Sequence, residues 1–466
     1  MLNYNLHFSA LSKNIRLQLP EKFLKRLDEQ FRNQSSELKE SFSLPPATSI
    51  RIHPNKLKSY SAEKIPWSEF GFYLKERPLF TIDPLLHAGC YYVQEASSMF
   101  MEQVFTQLFS ENEKIIVLDL CAAPGGKSTH IASLLNSKSV LVSNEIIQSR
   151  IPVLKENIIK QGTGNIMITN SDAKNFGALN EVFDCIVLDA PCSGEGLFRK
   201  DKRAISEWSE ENAHHCSIRQ KRILDDVLPC LRQNGLLIYS TCTFNPEENE
   251  MQLKWLKESF GFTGVRLKID RDWNIDEWNE DDLYAYRFLP NKLKGEGFFL
   301  SVMRKTESNN FSETVYDSKT DYANLPKKYS QAFFQNAVLI NENENIYEWK
   351  KKIFLLNTAQ IELLKIIGSD IKIIYAGIEL GEIKQNQEIP SEALALFDRV
   401  NISNFNTVSL TTEQALSFLR KDAFNISRIE KGWLLAQYEN HPLGWLKSLG
   451  NRMNNYFPTE WRIRNY

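Results

Sequence analysis

Apolar positions recur with two periods along this chain, and the change from one to the other divides it. After Pro20, residues Phe23, Leu24, Leu27 and Phe31 fall three and four apart, which predicts one buried helical face. Beyond Ser43-Leu44-Pro45-Pro46, the segment Thr48-Ser49-Ile50-Arg51-Ile52 alternates and predicts a strand. Further on, short continuous apolar runs at 115–120, 140–144, 166–169, 185–189, 236–240 and 298–303 alternate with helical stretches near 127–135, 149–160, 211–232 and 246–259. Strand–helix alternation of this kind predicts an α/β domain with a parallel sheet. The expected organisation is a small module over 1–80, the α/β domain over 81–305, a polar linker over 306–330 and a carboxyl-terminal region over 331–466.

Composition narrows the class. The 466 residues are 42% hydrophobic and 24% charged, ordinary for a soluble globular chain. No apolar run approaches the ~20 residues that span a bilayer. The start Met1-Leu2-Asn3-Tyr4 lacks a charged and then apolar leader, so a cytoplasmic location is expected. Seven cysteines without C-x-x-C spacing suggest neither a disulfide framework nor a zinc site, and no metal is expected. A net charge of −2 means that any nucleic-acid surface must be a local basic face. Nothing demands more than a monomer.

Candidate chemistry sits at the predicted strand ends. The first run of the α/β domain enters Cys121-Ala122-Ala123-Pro124-Gly125-Gly126-Lys127-Ser128, a glycine turn that opens a helix. It matches neither the Walker loop nor the dinucleotide fingerprint, so a ligand without phosphate, such as S-adenosylmethionine, suits it better. Glu145 follows the next strand 19 positions after Gly126 (145 − 126), where a carboxylate can accept both ribose hydroxyls. Asp172 follows the third strand, where it can take an adenine amino group. Either acid alone is more often a helix N-cap or a solvated loop charge. The ordered series of glycine turn, Glu145, Asp172 and Asp189, each after its own strand, is what carries the reading.

Two thiols occupy later strand ends, in Asp189-Ala190-Pro191-Cys192-Ser193-Gly194 and Ser240-Thr241-Cys242-Thr243. Carboxyl ends of neighbouring strands share one cleft, so the two cysteines are expected to face one substrate. A thiolate adding to carbon-6 of cytosine makes carbon-5 nucleophilic enough to accept a methyl group, a covalent route that splits one hard step into two. Asp189 could hold the amino group and ring nitrogen-3. Spacing leaves open which thiol attacks. Cys185, Cys216 and Cys230 read as core residues, and Cys121 as packing beneath the cofactor.

A base stacked in a helix cannot meet a thiol, so the target must be flipped out or unpaired. Arg199 and Lys200, with Lys202 and Arg203, follow the Cys192 loop and could hold flanking phosphates. At the carboxyl end, Arg452, Arg462 and Arg464 interleave with Tyr456, Phe457 and Trp461, as in binders of single-stranded RNA. Trp433 and Trp445 read as core of a small β-barrel.

Asp119–Lys127, Asp189–Gly194 and Ser240–Thr243, together with His87–Met99, resemble the Nop/Sun family of RNA (cytosine-5) methyltransferases. Within it they are similar to a bacterial branch acting on small-subunit (16S) ribosomal RNA. Pro442-Leu443-Gly444-Trp445 is similar to that branch's PUA-like RNA-binding domain, expected over about 380–466. The resemblance implies a Rossmann-like, class I S-adenosylmethionine-dependent domain with an amino-terminal RNA-binding module. It implies Cys242 as nucleophile, Cys192 as the thiol that assists release, and Arg150 beside the cofactor stretch Cys121–Lys127 with Glu145, Asp172 and Asp189. Transfer RNA as substrate, DNA as substrate, and a non-catalytic ribosome-assembly factor are the competing readings.

Overall fold

The computed structural model describes residues 18–306, 325–367, 370–426 and 430–464. Met1–Tyr4 and most of the expected linker, 307–324, lie outside them.

Five of the apolar runs form parallel strands of one sheet: β1 (Ile116–Asp119), β2 (Val140–Asn144), β3 (Ile166–Thr169), β4 (Phe183–Asp189) and β5 (Leu231–Thr241). Every residue of β1, β2 and β3 is buried, which is why these strands read as continuous rather than alternating runs. Their spatial order is β3-β2-β1-β4-β5, so the winding reverses between β1 and β4 and opens a crevice at their carboxyl ends. β6 (Phe262–Gly264), β7 (Asp276–Glu280), β8 (Leu283–Phe288) and β9 (Phe298–Lys305) extend the sheet antiparallel beyond β5.

The opposite edge holds a strand that the sequence pattern misplaces. β10 (Ile373–Ala376), from the expected carboxyl-terminal region, pairs antiparallel with β3 and completes a ten-stranded sheet. Asn170 N donates to Lys372 O at 2.9 Å and Gly377 N to Ile166 O at 2.9 Å, so the exposed edge of β3 is closed from outside its own domain.

Before this domain come helices α1 (Glu21–Phe31) and α2 (Ser35–Ser41) and a four-stranded antiparallel sheet ordered 63–64, 71–74, 48–52, 91–93. Phe23, Leu27 and Phe31 are buried on α1 as their spacing requires. The strand Tyr91–Val93 carries this sheet past the expected boundary at 80. In the α/β domain, α3 (Gly126–Leu134) follows β1, α4 (Ile151–Gln161) follows β2, α5 (Ala173–Gly177) follows β3, and α6 (Glu210–Val227) precedes β5.

After 325 there is a five-stranded sheet spanning 327–390 and a four-stranded sheet spanning 406–455. Strands at 378–384 and 387–390 pair with the first of these, so the terminal unit begins near Asn406 rather than 380. Trp445 is fully buried there. Trp433 is half-buried against Tyr456, with Lys447 over its ring, while Arg452, Arg462 and Arg464 are exposed. No helix among the described residues is long and apolar enough to cross a membrane.

Candidate active site

Three strand ends form one half of the crevice. Gly125 closes the β1 turn with φ +111°, a conformation that favours glycine, and α3 starts at the next residue. A Cβ on Gly126 would stand 3.3 Å from the Tyr92 ring, so the turn lies close beneath the amino-terminal sheet. Arg150 donates to Ala123 O, and Asn157 Nδ2 donates to Pro124 O at 2.8 Å, which fixes the turn from α4 and the residue before it. Glu145 is 2% exposed and accepts Ile147 N at 2.8 Å through Oε1. Its Oε2 receives no hydrogen bond, although the Arg150 guanidinium lies 3.2 Å away. A buried carboxylate oxygen left open beside a glycine turn is the acceptor that a ribose diol requires, so these residues fit S-adenosylmethionine.

Asn144, not singled out from the sequence, ties this half together. Its Nδ2 donates to Leu120 O and Ser171 O, and its Oδ1 accepts Ser171 N and Thr169 Oγ1. One buried amide thereby brackets the loops after β1 and β3 on either side of Glu145. Asp119 at the end of β1 is also buried. Burial pushes its carboxyl up to about 7 despite the Ser128 hydroxyl donating to it at 2.6 Å. Asp172 caps α5, accepting Lys174 N at 3.1 Å, and stays exposed. Both roles considered for it are compatible with that placement.

The thiol half is set by register. Asp189 at the end of β4 pairs with Ser240 on β5, so the residues two and three positions further on emerge side by side. Cys192 Sγ and Cys242 Sγ are 3.1 Å apart, both free thiols, and Cys242 N donates to Cys192 Sγ at 3.3 Å. Asp189 Oδ1 accepts the Ser240 hydroxyl and its Oδ2 accepts Lys127 Nζ, each at 2.8 Å. Burial opposes the Lys127 ammonium, but Asp189 outweighs it and leaves the group raised. The hydrogen bond to Cys242, followed by burial, pushes the Cys192 thiol well up.

Beneath the thiols, Glu248 accepts Ser193 N at 2.8 Å, the Ser193 hydroxyl, and Gln220 Nε2 at 3.1 Å. Burial pushes this carboxyl up to about 7. The place of Glu248 was not legible, since a single polar residue after a strand carries no distinctive pattern.

Lys127 leaves the glycine turn toward Asp189 Oδ2, a carboxylate of the same expected cofactor series. One expectation is corrected. Arg199 was expected to hold phosphate, but its side chain is 6% exposed and its guanidinium is bound to Glu296 at 2.8 Å and to Gly295 O. Lys200 is freer, one-third exposed and 3.7 Å from Glu296. Lys202 and Arg203 are exposed. Cys185 and Cys230 are fully buried and Cys216 nearly so, as core residues. Cys121 is half-buried in the glycine turn.

Residues 106–304 match the family model for 16S rRNA methyltransferase RsmB/F, residues 19–96 the N-terminal domain of 16S rRNA methyltransferase RsmF, and residues 405–463 the methyltransferase RsmF PUA domain. Ribosomal RNA small subunit methyltransferase F of Escherichia coli O1:K1 is 34% identical over 410 residues, covering 85% of this chain and 84% of that one. The Escherichia fergusonii protein of the same name is 32% identical over 411 residues, with the same coverage. A methyltransferase homologue from Pyrococcus horikoshii superposes with a TM-score of 0.53 and 28% identity, over 64% of this chain and all of that one. With a relative 34% identical over most of both chains and family models matching the middle and both ends, the protein belongs to the RsmB/F family of 16S rRNA methyltransferases.

Proposed function

We propose that this chain is a cytoplasmic enzyme that methylates carbon-5 of a cytosine in small-subunit ribosomal RNA through a covalent cysteine–cytosine adduct. The observation that carries this reading is the pair of free thiols 3.1 Å apart beside Asp189. Cys242 forms the bond to carbon-6, as the family resemblance implies, and Cys192, 3.1 Å away, stands where it can assist release. Asp189, held by Lys127 and Ser240, accepts a hydrogen bond from the exocyclic amino group of the cytosine and orients the ring for attack. S-adenosylmethionine, held by the Cys121–Lys127 turn with Glu145, Arg150 and Asp172, supplies an electrophilic methyl group. Carbon-5 takes the methyl group and loses its proton, the sulfur–carbon-6 bond breaks, and Cys192 assists that release. Exposed Lys200, Lys202 and Arg203 contact flanking phosphates.

Labelled methyl transfer to small-subunit RNA lacking the modification tests this. Cys242→Ala should abolish incorporation, and Cys192→Ala should leave a protein–RNA adduct that survives a denaturing gel. An active Cys242→Ala with an inert Cys192→Ala would reverse the two roles. Absence of transfer by the unaltered protein to naked small-subunit RNA and to assembled subunits alike would overturn the substrate, and incorporation into transfer RNA would replace it.

A further inference from the structure

Helices α1 and α2 belong to the module expected to bind RNA, yet their buried faces are occupied by the two thiol loops. Glu195, three residues after Cys192, is fully buried. Its Oε1 accepts Arg26 Nη2 from α1 at 2.6 Å and Trp208 Nε1 at 2.8 Å. Its Oε2 accepts the backbone N–H of Phe244, two residues after Cys242, at 3.0 Å. Gln30, one turn further along α1, donates to the carbonyl of the same Phe244 at 2.8 Å. A direct bond from Gly196 N to Cys242 O at 2.8 Å closes the loops on each other.

Apolar packing follows the same lines. A cluster separate from the main core gathers Phe23, Leu27, Phe31, Leu38 and Phe42 from the two helices around Phe198 of the Cys192 loop and Phe244 of the Cys242 loop. Phe23 lies edge-on to Phe198 with centroids 5.0 Å apart, and Phe42 meets Phe244 at 6.0 Å. The thiol loops therefore have a floor built from another part of the chain.

We propose that Arg26 and Glu195 are positioning residues for the methyl-transfer reaction, and that α1 sets the separation and orientation of Cys192 and Cys242 rather than gripping RNA. The inference rests on the covalent reading given above. A buried carboxylate that receives one arginine and two N–H donors from different segments has a single arrangement that satisfies all three. Removing the arginine leaves its charge uncompensated, so the loops shift to reach water or another donor. Misplacement of reacting groups by about 1 Å costs on the order of a hundredfold in rate.

The test uses the full chain and small-subunit RNA carrying 5-fluorocytidine, which cannot lose a proton from carbon-5 and so traps the adduct. Arg26→Met should slow adduct formation by at least about tenfold while equilibrium affinities for RNA and S-adenosylmethionine stay within about twofold. Arg26→Lys, which keeps the charge, should recover part of that rate, and Gln30→Ala should lose a few-fold. Near-ultraviolet circular dichroism and thermal melts report folding. If Arg26→Met does not fold, Arg26→Lys and Gln30→Ala decide, and the unaltered rate in both overturns the proposal. Weakened RNA affinity with an unaltered single-turnover rate also overturns it and makes α1 an RNA contact. No adduct from the unaltered protein would instead overturn the covalent reading itself.

Discussion

The two halves of the crevice are built from different distances along the chain. On the cofactor side, the tying bonds join residues close in sequence. Ser128 reaches Asp119 across 9 positions, Asn144 reaches Leu120 across 24, and Arg150 reaches Ala123 across 27. On the thiol side, the two loops are 50 positions apart, and their braces from α1 come from 169 and 214 positions away. Each β-strand and its following helix form a local unit that can shape a nucleoside site alone. Two loops that must hold reacting sulfurs within a few tenths of an ångström need support from outside that unit. The difference predicts that the halves fail independently.

Four substitutions probe that independence. Asp189→Asn keeps its size but loses the charge facing the base, and should lower methyl transfer by about 10²–10³-fold. Titration with S-adenosylmethionine should show little change in that variant. A matching loss of cofactor affinity would join the halves. Glu145→Gln should do the reverse, weakening S-adenosylmethionine by about ten- to a hundredfold through loss of a charge-assisted hydrogen bond while leaving RNA affinity intact. Isothermal titration separates these two outcomes.

Glu248 gives a pH-dependent contrast. Its carboxyl is raised from 4.5 to about 7 in the folded chain, so the unfolded chain releases that proton first. Stability it contributes is present below about pH 4.5 and is lost as pH rises toward 7, by up to about 1.4 kcal/mol per pH unit. Glu248→Gln removes this dependence, so denaturant melts of variant and parent should shift relative to each other in the variant's favour between pH 4.5 and 7. A constant difference across that window would mean the carboxylate is not held neutral. The smallest effect on catalysis is expected at Asn144→Ala, which orphans buried backbone groups at about 1–3 kcal/mol each and should lower the melting temperature. Its activity loss should appear in cofactor affinity, without change in the rate of adduct formation at saturating cofactor.

Much of the architecture was legible because its signals are local. Val140–Asn144 and Ile166–Thr169 appear with the bounds the apolar runs predict, and Thr48–Ile52 likewise. Glycine at Gly125 is required by one backbone angle, which a single residue type announces. The Lys127–Asp189 pair was not legible, because adjacency in sequence to the glycine turn says nothing of the direction in which a long side chain extends. Arg199 was misassigned for a related reason, since a basic residue in a loop looks the same whether solvent or Glu296 receives it. The strand Ile373–Ala376 was missed because its partner, β3, lies some two hundred positions earlier and an edge leaves no mark on either segment.

By itself the sequence determined the α/β order, the glycine turn, the succession of acids and the presence of a thiol at each of two strand ends, because each depends on residue type and short-range spacing. Only the tertiary structure decided that the thiols are 3.1 Å apart, that Lys127 serves Asp189, and that α1 underlies both loops. Those outcomes depend on strand register, burial and charge pairing between distant segments, and each is a property of the folded arrangement that no single stretch of the chain contains.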